Sequence, residues 1–429
     1  MQEFHFSDLK ITPEHFRRKA LYWAEKFAQV AHFNGNEIPY LYDGFENLLA
    51  VSDVKTVAFS GKKVFEQLTE ISASEKFLCG LFSYDLKNKI ETLESHHEDF
   101  IGFPDAHFFE PEILLTFSEK TVSISTQKVE CETILQQILT TEIPEIQPQQ
   151  INWQSRTSEA KYLENVCHIQ NHILEGDVYE LNYTIEFFAE NATVFPLALF
   201  EALNQKSPTP FAGFFKLNHS VLMCASPERF LKKEDRNLIS QPIKGTIKRG
   251  KNDQEDAQLK NQLLNDEKER AENLMIVDLV RNDLSRSAET GSVKVEELFG
   301  IYGFQQVFQM ISTITAQARP EENLATILQH TFPMGSMTGA PKISAMQLIE
   351  QYEDHRRGLY SGTIGYVKPN GDFDFNVVIR SLQYNAETKY LSYKVGSAIT
   401  IDSVPEKEYQ ECLLKAKAIM EVLPHPTLP

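Results

Sequence analysis

The run SGTIGYV-KPNG-DFDFNVVIRSLQY, residues 361–384, constrains the fold more than any other stretch. Thr363, Ile364, Tyr366 and Val367, then Phe373, Phe375, Val377 and Val378, fill two short runs with β-branched and aromatic residues around a proline-containing turn, which reads as two strands. YELNYTIEFFAE (179–190) alternates as another strand. TVAFS (56–60), KFLCGLFSYDL (76–86) and TVSISTQ (121–127) read as strands in the first part of the chain, which is expected to form a mixed sheet.

Between these runs lie helical patterns. One is expected over Pro13–Phe33. Another spans 158–177, with Tyr162, Val166, Ile169 and Ile173 at helical spacing and a stop at Gly176. A long one, dense in i,i+4 charge pairs, is expected from Asp253 to Asn282. The last is expected to start at a capping box of Ser403 and Glu406, with Pro405 in its first turn, and to run to about Leu423. EIPEIQPQQ (142–150) breaks the periodicity and reads as a connector between residues 1–145 and residues 155–421.

The formal charge of −18 works against general affinity for nucleic acid or an anionic membrane, so an anionic ligand would have to meet a local basic pocket. The five cysteines are odd in number, widely spaced and without a CxxC pair, which argues against a disulfide framework or a zinc site. The N-terminus carries no basic-then-apolar leader and no window approaches 18 apolar residues, so a cytoplasmic protein is expected.

Several motifs carry chemistry in outline. In QPIKGTIKRG (241–250), Lys244 precedes a Gly-Thr pair, which suits a phosphate grip, a carboxylate grip or a nucleophilic amine. A phosphate loop needs the lysine after the last glycine, and neither PIKGT nor GSMTGAPK (335–342) has that spacing. DFDFN lacks the glycine and the final glutamate of a calcium loop, and HHED (96–99) lacks the second histidine of a zinc-protease helix. Glu269 and Glu272 lie one helical turn apart, as do Glu408 and Glu411, so two helices could offer carboxylates to a hard cation such as magnesium, or simply a solvated acidic face. Glu228 is a general-acid candidate if burial raises its pKa. Lys244 is a nucleophile candidate if desolvation or a cationic neighbour such as Lys248 or Arg249 lowers its own.

Nine blocks decide among these readings: SPERF, PIKGT, RAENLMIVDLVRND, SVKVEELF, STITAQ, FPMGSMTGAPKISAMQLIE, RRGLYSGTIGY, VIRSL and DSVPEKEYQECLLKA. In that order they resemble the chorismate-utilising enzymes, closely over 162–420 and more weakly over FENLLAVSDVKTV and GLFSYDLKNKIE. The resemblance implies an α/β (α+β) fold, a two-sheet, mostly antiparallel β-sandwich with helices outside and both regions in one structural unit. It also implies a magnesium-dependent enzyme acting on chorismate.

Within the family, the lysine at 244, Gln309 where pyruvate-eliminating members tend to have histidine, and NLLAVSD in place of LLES resemble the aminodeoxychorismate synthase component I type. That type aminates chorismate to 4-amino-4-deoxychorismate, the precursor of p-aminobenzoate and folate, with ammonia from a separate glutamine amidotransferase. The roles implied are Glu228 as general acid, Lys244 as nucleophile, and Glu272 and Glu411 as magnesium ligands supported by Glu269 and Glu408. Substrate contacts are implied for Gly245, Thr246, Tyr360, Arg380 and backbone around Gly396, with Thr338 and Lys415 lining the site. Two departures stand out: Gly396-Ser397-Ala398 replaces a glycine-rich run, so the Ala398 methyl could obstruct a backbone contact, and Glu180 replaces a glutamine and could be paired, protonated or turned away. The alternatives are anthranilate synthase component I and a non-catalytic chorismate-binding subunit.

Overall fold

The computed structural model describes residues 1–54, 59, 63–145 and 150–423. Its described strands form two sheets, one of twelve strands and one of nine, in which every pairing is antiparallel. The larger sheet runs from Gln2–His5 at one edge through Leu48–Ser52, Gln29–Asn34, Phe211–Leu217, Ser220–Ser226 and Tyr390–Ile399 to Glu180–Ala189 and the short Gly339–Ala340. The smaller runs from Ile243–Lys248 through Val307–Gln317, Asn237–Gln241, Arg229–Glu234, Phe373–Asn376 and Thr363–Val367 to Leu78–Phe82 and Ala106–Phe109. The mixed sheet expected for the first part of the chain is therefore corrected. Its strands add edge-on to later ones, Gln29–Asn34 to Phe211–Leu217 and Leu78–Phe82 to Thr363–Val367, and each finds an antiparallel partner.

The sheets pack face to face over an aromatic core that includes Phe33, Phe45, Phe211, Phe215, Leu81 and Ile364. At Gly213 the approach is so close that a Cβ would lie 2.6 Å from Ile364 Cδ1 on the opposite sheet. Helices cover the outer faces. Phe16, Leu135, Val166, Phe200 and Ile419 pack on the larger sheet; Leu68, Ile276, Val280 and Leu328 pack on the smaller. Each large apolar side chain so buried contributes about 1.5–3 kcal/mol.

Local signals explain several helix ends. Glu159–Glu175 starts at Ser158, whose side chain accepts from the Lys161 N–H, and stops at Gly176 with φ +87°. The helix expected over Asp253–Asn282 is two, Asp253–Leu264 and Glu267–Ser285, because the Asp266 side chain accepts from the Glu269 N–H and begins a new helix. The expected Pro13–Phe33 helix ends at Ala24, and Gln29–Asn34 is a strand buried along nearly its whole length. Pro405 opens the last helix as expected, but no capping box forms; Ser403 Oγ donates instead to Glu408 Oε1 at 2.9 Å. DFDFN is a strand, Phe373–Asn376, over most of its length. TVAFS lies outside the described residues except Phe59, as do residues 146–149 of the connector. Among the described residues no helix is long and apolar enough to cross a membrane.

One buried ion pair ties the sheet to the segment that carries Glu228. Arg229 is fully buried and donates from Nε and Nη2 to Asp374 at 2.9 Å each, from Nη1 to Gln241 at 2.6 Å, and from Nη2 to the Asp43 carbonyl at 2.8 Å. Asp374→Ala leaves this guanidinium desolvated without its counterion, and the expected loss is about 3–5 kcal/mol of folding stability, measured as a lower urea midpoint at unchanged slope.

Candidate active site

The strand Ile243–Lys248 is irregular where the chemistry was expected. Ile243 faces Ile311 and Thr246 faces Gln309, with a register shift between them, and Gly245 adopts φ +96°. A glycine in the left-handed region lets the strand bulge, a device that re-aims a side chain. A Cβ at Gly245 would also sit 3.1 Å from Glu269 Oε2. The bulge puts Lys244, Gly245 and Thr246 on the wall of a cavity of about 710 Å³.

Glu228 reaches the same cavity from the turn between Ser220–Ser226 and Arg229–Glu234. Burial pushes its carboxyl up to about 7, while the Ser336 hydroxyl, donating to Oε1 at 2.5 Å, and the charges of Lys244 and Lys415 pull the other way. A carboxyl poised there holds a proton to give near neutral pH. Lys244 behaves otherwise than expected. Burial alone would lower its pKa, but the carboxylates of Glu180, Glu272 and Glu411 outweigh it, and the pKa is raised. Nζ sits 3.3 Å from Glu180 Oε1, so Glu180 is paired. Arg249 is no cationic neighbour to Lys244, because its guanidinium is held by Asp256 and the Phe304 carbonyl.

Four glutamates converge from two helices: Glu269 and Glu272 from Glu267–Ser285, Glu408 and Glu411 from Pro405–Val422. Their mutual repulsion is visible. Burial, then Glu272 and Glu411, push Glu269 up to about 7, and burial raises Glu272 also. Lys268 partly relieves it, its Nζ 3.2 Å from Glu408 Oε1 and 3.7 Å from Glu272 Oε1. Glu411 pairs with Lys415 at 2.7 Å and Lys415 also donates to the Gly396 carbonyl at 2.9 Å. Glu272 Oε1 is buried without a hydrogen-bond partner among the described residues. The four do not yet form a compact ligand shell: among the described residues only His172, Glu175 and Asp177 bring three ligand atoms within 4.8 Å of one another.

Arg380 and Tyr360 line the cavity beside Glu228. Arg380 has φ +51°, and its guanidinium makes no hydrogen bond or ion pair among the described residues, which leaves its fork of donors for a carboxylate. Gly396 and Ala398 face the cavity from Tyr390–Ile399, and the Ala398 methyl is part of its wall. Ser397 does not. Side chains alternate along a strand, so it points to the helical side and shares a 3.0 Å hydrogen bond with the Tyr162 hydroxyl. Thr338 is likewise off the cavity, fully buried, its hydroxyl given to the carbonyls of Met334 and Gly335. Sequence reasoning missed Ser336, Lys268, Asn182 and Lys394, which also line the cavity. Lys268, four residues before Glu272, was readable as an i,i+4 partner; Ser336 had no local signal of its own.

The Ser336 hydrogen bond stabilises the charged form of Glu228, so Ser336→Ala is expected to raise the pKa further. Isotope-edited infrared difference spectra against Glu228→Gln check this: half-titration near pH 7 in the wild type, and at higher pH in the variant.

Residues 12–421 match the family of chorismate binding enzymes. The chain is similar to anthranilate synthase component 1 of Thermus thermophilus, 34% identical over 81% of this chain and 77% of that protein. It is equally similar to aminodeoxychorismate synthase component 1 of Escherichia coli, 35% identical over 80% of this chain and 76% of that one. The crystal structure of anthranilate synthase component I from Streptococcus pneumoniae superposes with a TM-score of 0.74 at 27% identity, over 92% of this chain and 90% of that one. Matched by that family model from residue 12 to residue 421, and at least 34% identical to two relatives of which it covers more than two thirds, the protein is a chorismate-utilising enzyme and belongs to the chorismate binding enzyme family.

Proposed function

We propose that the protein is an aminodeoxychorismate synthase component I, aminating chorismate with ammonia to 4-amino-4-deoxychorismate for p-aminobenzoate and folate biosynthesis. The observation that carries this reading is Lys244 on the same cavity wall as Glu228, an amine and a proton donor facing one space. Gln309, beside Thr246 on that wall, supports it further, since it offers no imidazole for proton abstraction.

In this mechanism Arg380 holds one carboxylate of chorismate through two parallel hydrogen bonds, with Tyr360 beside it. Thr246, the Gly245 backbone and the strand edge at Gly396 and Ala398 fix the ring, and Lys415 adds positive charge to the wall. The Lys244 amine forms a bond to ring carbon 2, the ring double bonds shift, and the C4–O bond breaks as Glu228 delivers its proton, so that water leaves. Ammonia then adds at carbon 4 and the lysine amine departs.

The acidic quartet fits a divalent cation. Its donors are carboxylate oxygens with no thiol or imidazole among the residues that line the cavity, burial and repulsion raise Glu269 and Glu272, and Glu272 Oε1 has no hydrogen-bond partner among the described residues. Glu272 and Glu411, with Glu269 and Glu408 in support, would hold magnesium, which supplies positive charge to polarise the ring carboxylate. Glu180, Glu269, Glu272, Glu408 and Glu411 hold the cavity's negative charge against Lys244, Lys268 and Lys415. The ammonia comes from a separate glutamine amidotransferase: none of Cys79, Cys131, Cys167, Cys224 and Cys412 has the GxCxG context of a glutaminase nucleophile.

The Thermus relative favours a second reading, anthranilate synthase component I. Product analysis with chorismate, magnesium and ammonium separates the two: 4-amino-4-deoxychorismate is expected, and fluorescent anthranilate would sink the main reading. Lys244→Ala is expected to slow amination at least about 100-fold and to abolish any covalent adduct seen by intact mass, with chorismate affinity nearly unchanged. Arg380→Ala is expected to raise the KM for chorismate about 10- to 100-fold with a smaller change in kcat; an unchanged KM would remove Arg380 from the binding role.

A further inference from the structure

Resting on the reading of Lys244 as the nucleophile, one question is left open by the geometry. An ammonium has no lone pair, and Lys244 lies as an ammonium against the Glu180 carboxylate, Nζ 3.3 Å from Oε1, so a proton must leave before the amine can attack. Where it goes is decided by what surrounds Nζ.

Glu180 opens the strand Glu180–Ala189 and is buried to 1% exposure. Among the described residues its Oε1, 3.3 Å from Lys244 Nζ, makes the one ion pair of Lys244, and its Oε2 has no hydrogen-bond partner. Glu272 and Glu411 act on Lys244 through space without pairing to it. Glu228 is engaged by Ser336 and is committed to the leaving oxygen. The Glu180 backbone is also clamped: it pairs with Ala340, and a Cβ at Gly339 would lie 2.2 Å from the Glu180 carbonyl oxygen, so only glycine lets the two strands approach so closely.

We infer that Glu180 is the positioning residue for Lys244, which aims the amine and takes up its proton before attack. The proton passes from Nζ to a Glu180 oxygen, and the freed lone pair forms the bond to ring carbon 2. The C4–O electrons leave with the proton of Glu228 as water. When ammonia adds at carbon 4, the C2–N electrons return to Nζ, Glu180 gives its proton back, and Glu228 recovers one from the new ammonium on carbon 4. Both acids end in the form in which they began. A glutamine at position 180 could still hydrogen-bond to Lys244 but could not take the proton.

The test is rapid-quench intact-mass measurement of the adduct that chorismate forms with the protein in magnesium without ammonia. For Glu180→Gln the expected rate at saturating chorismate is about 100-fold below wild type, with the half-saturating concentration within about 3-fold and partial recovery in Glu180→Asp. A Glu180→Gln rate equal to wild type overturns the inference, as does a loss confined to half-saturation. Should Glu180→Gln fail to fold, as judged by circular dichroism, Glu180→Asp carries the test: it keeps the charge but withdraws the oxygens, so a reduced saturating rate supports the inference and an unchanged one overturns it. Lys244→Ala distinguishes the two levels. If wild type forms the adduct, Lys244→Ala does not, and Glu180→Gln matches wild type, only the role of Glu180 falls; if wild type forms none and Lys244→Ala turns over normally, the nucleophile reading falls and takes this inference with it.

Discussion

The balance of charge inside one cavity is the constraint on which the rest of the site depends. Glu180, Glu269, Glu272, Glu408 and Glu411 bring five carboxylates toward one space, and desolvated like charges repel strongly. Lys244, Lys268 and Lys415 offset them, and the remaining strain shows in the raised carboxyls of Glu269 and Glu272. Such a site holds its own lysine charged and, in the proposed function, takes an added cation. Arg380, which makes no ion pair among the described residues, supplies the opposite preference for an anion in the proposed function. That segregation lets a chain of net charge −18 receive an anionic ligand.

The sandwich makes such a cavity affordable. Glu228 comes from the turn between two strands, and Lys244 and Gly396 come from strands of different sheets; each segment is fixed by an interaction outside the cavity: Arg229 by Asp374 and Gln241, the Lys244 bulge by Gly245, and Gly396 by close contact with Thr184, 2.5 Å from where a Cβ would lie. Fixing side chains through rigid strands rather than loops keeps their spacing under load. The two acidic helices lie over the same opening, and the Asp266 cap sets the start, and so the phase, of the one that carries Glu269 and Glu272.

Much was legible from residue order. Ser158 and Gly176 bound a helix as their chemistry predicts, Pro405 opens another, and the 361–384 run forms the strands expected around its turn. The misses share a cause. The Asp266 break, the strand at Gln29–Asn34 and the lost Ser403–Glu406 box each arose where a local preference met a competing partner: an aspartate cap, a neighbouring strand, or Glu408. That the Ser397 side chain faces the helical side was not readable, because motif matching does not say which way an alternating strand faces.

By itself the sequence determined the chemistry available: which residues can give a proton, attack, or hold a cation, and the order of blocks that marks the family. Identity and spacing along the chain suffice for that, because they are properties of side chains and of helix and strand periods. Only the tertiary structure decided the state of those groups. It paired Glu180 with Lys244, reversed the pKa direction expected for that lysine, raised Glu228 to about 7, and turned Ser397 and Thr338 away. Protonation depends on burial and on charges that lie far apart in sequence, as residues 180, 244, 272 and 411 do, and their distances exist only once the two sheets have closed.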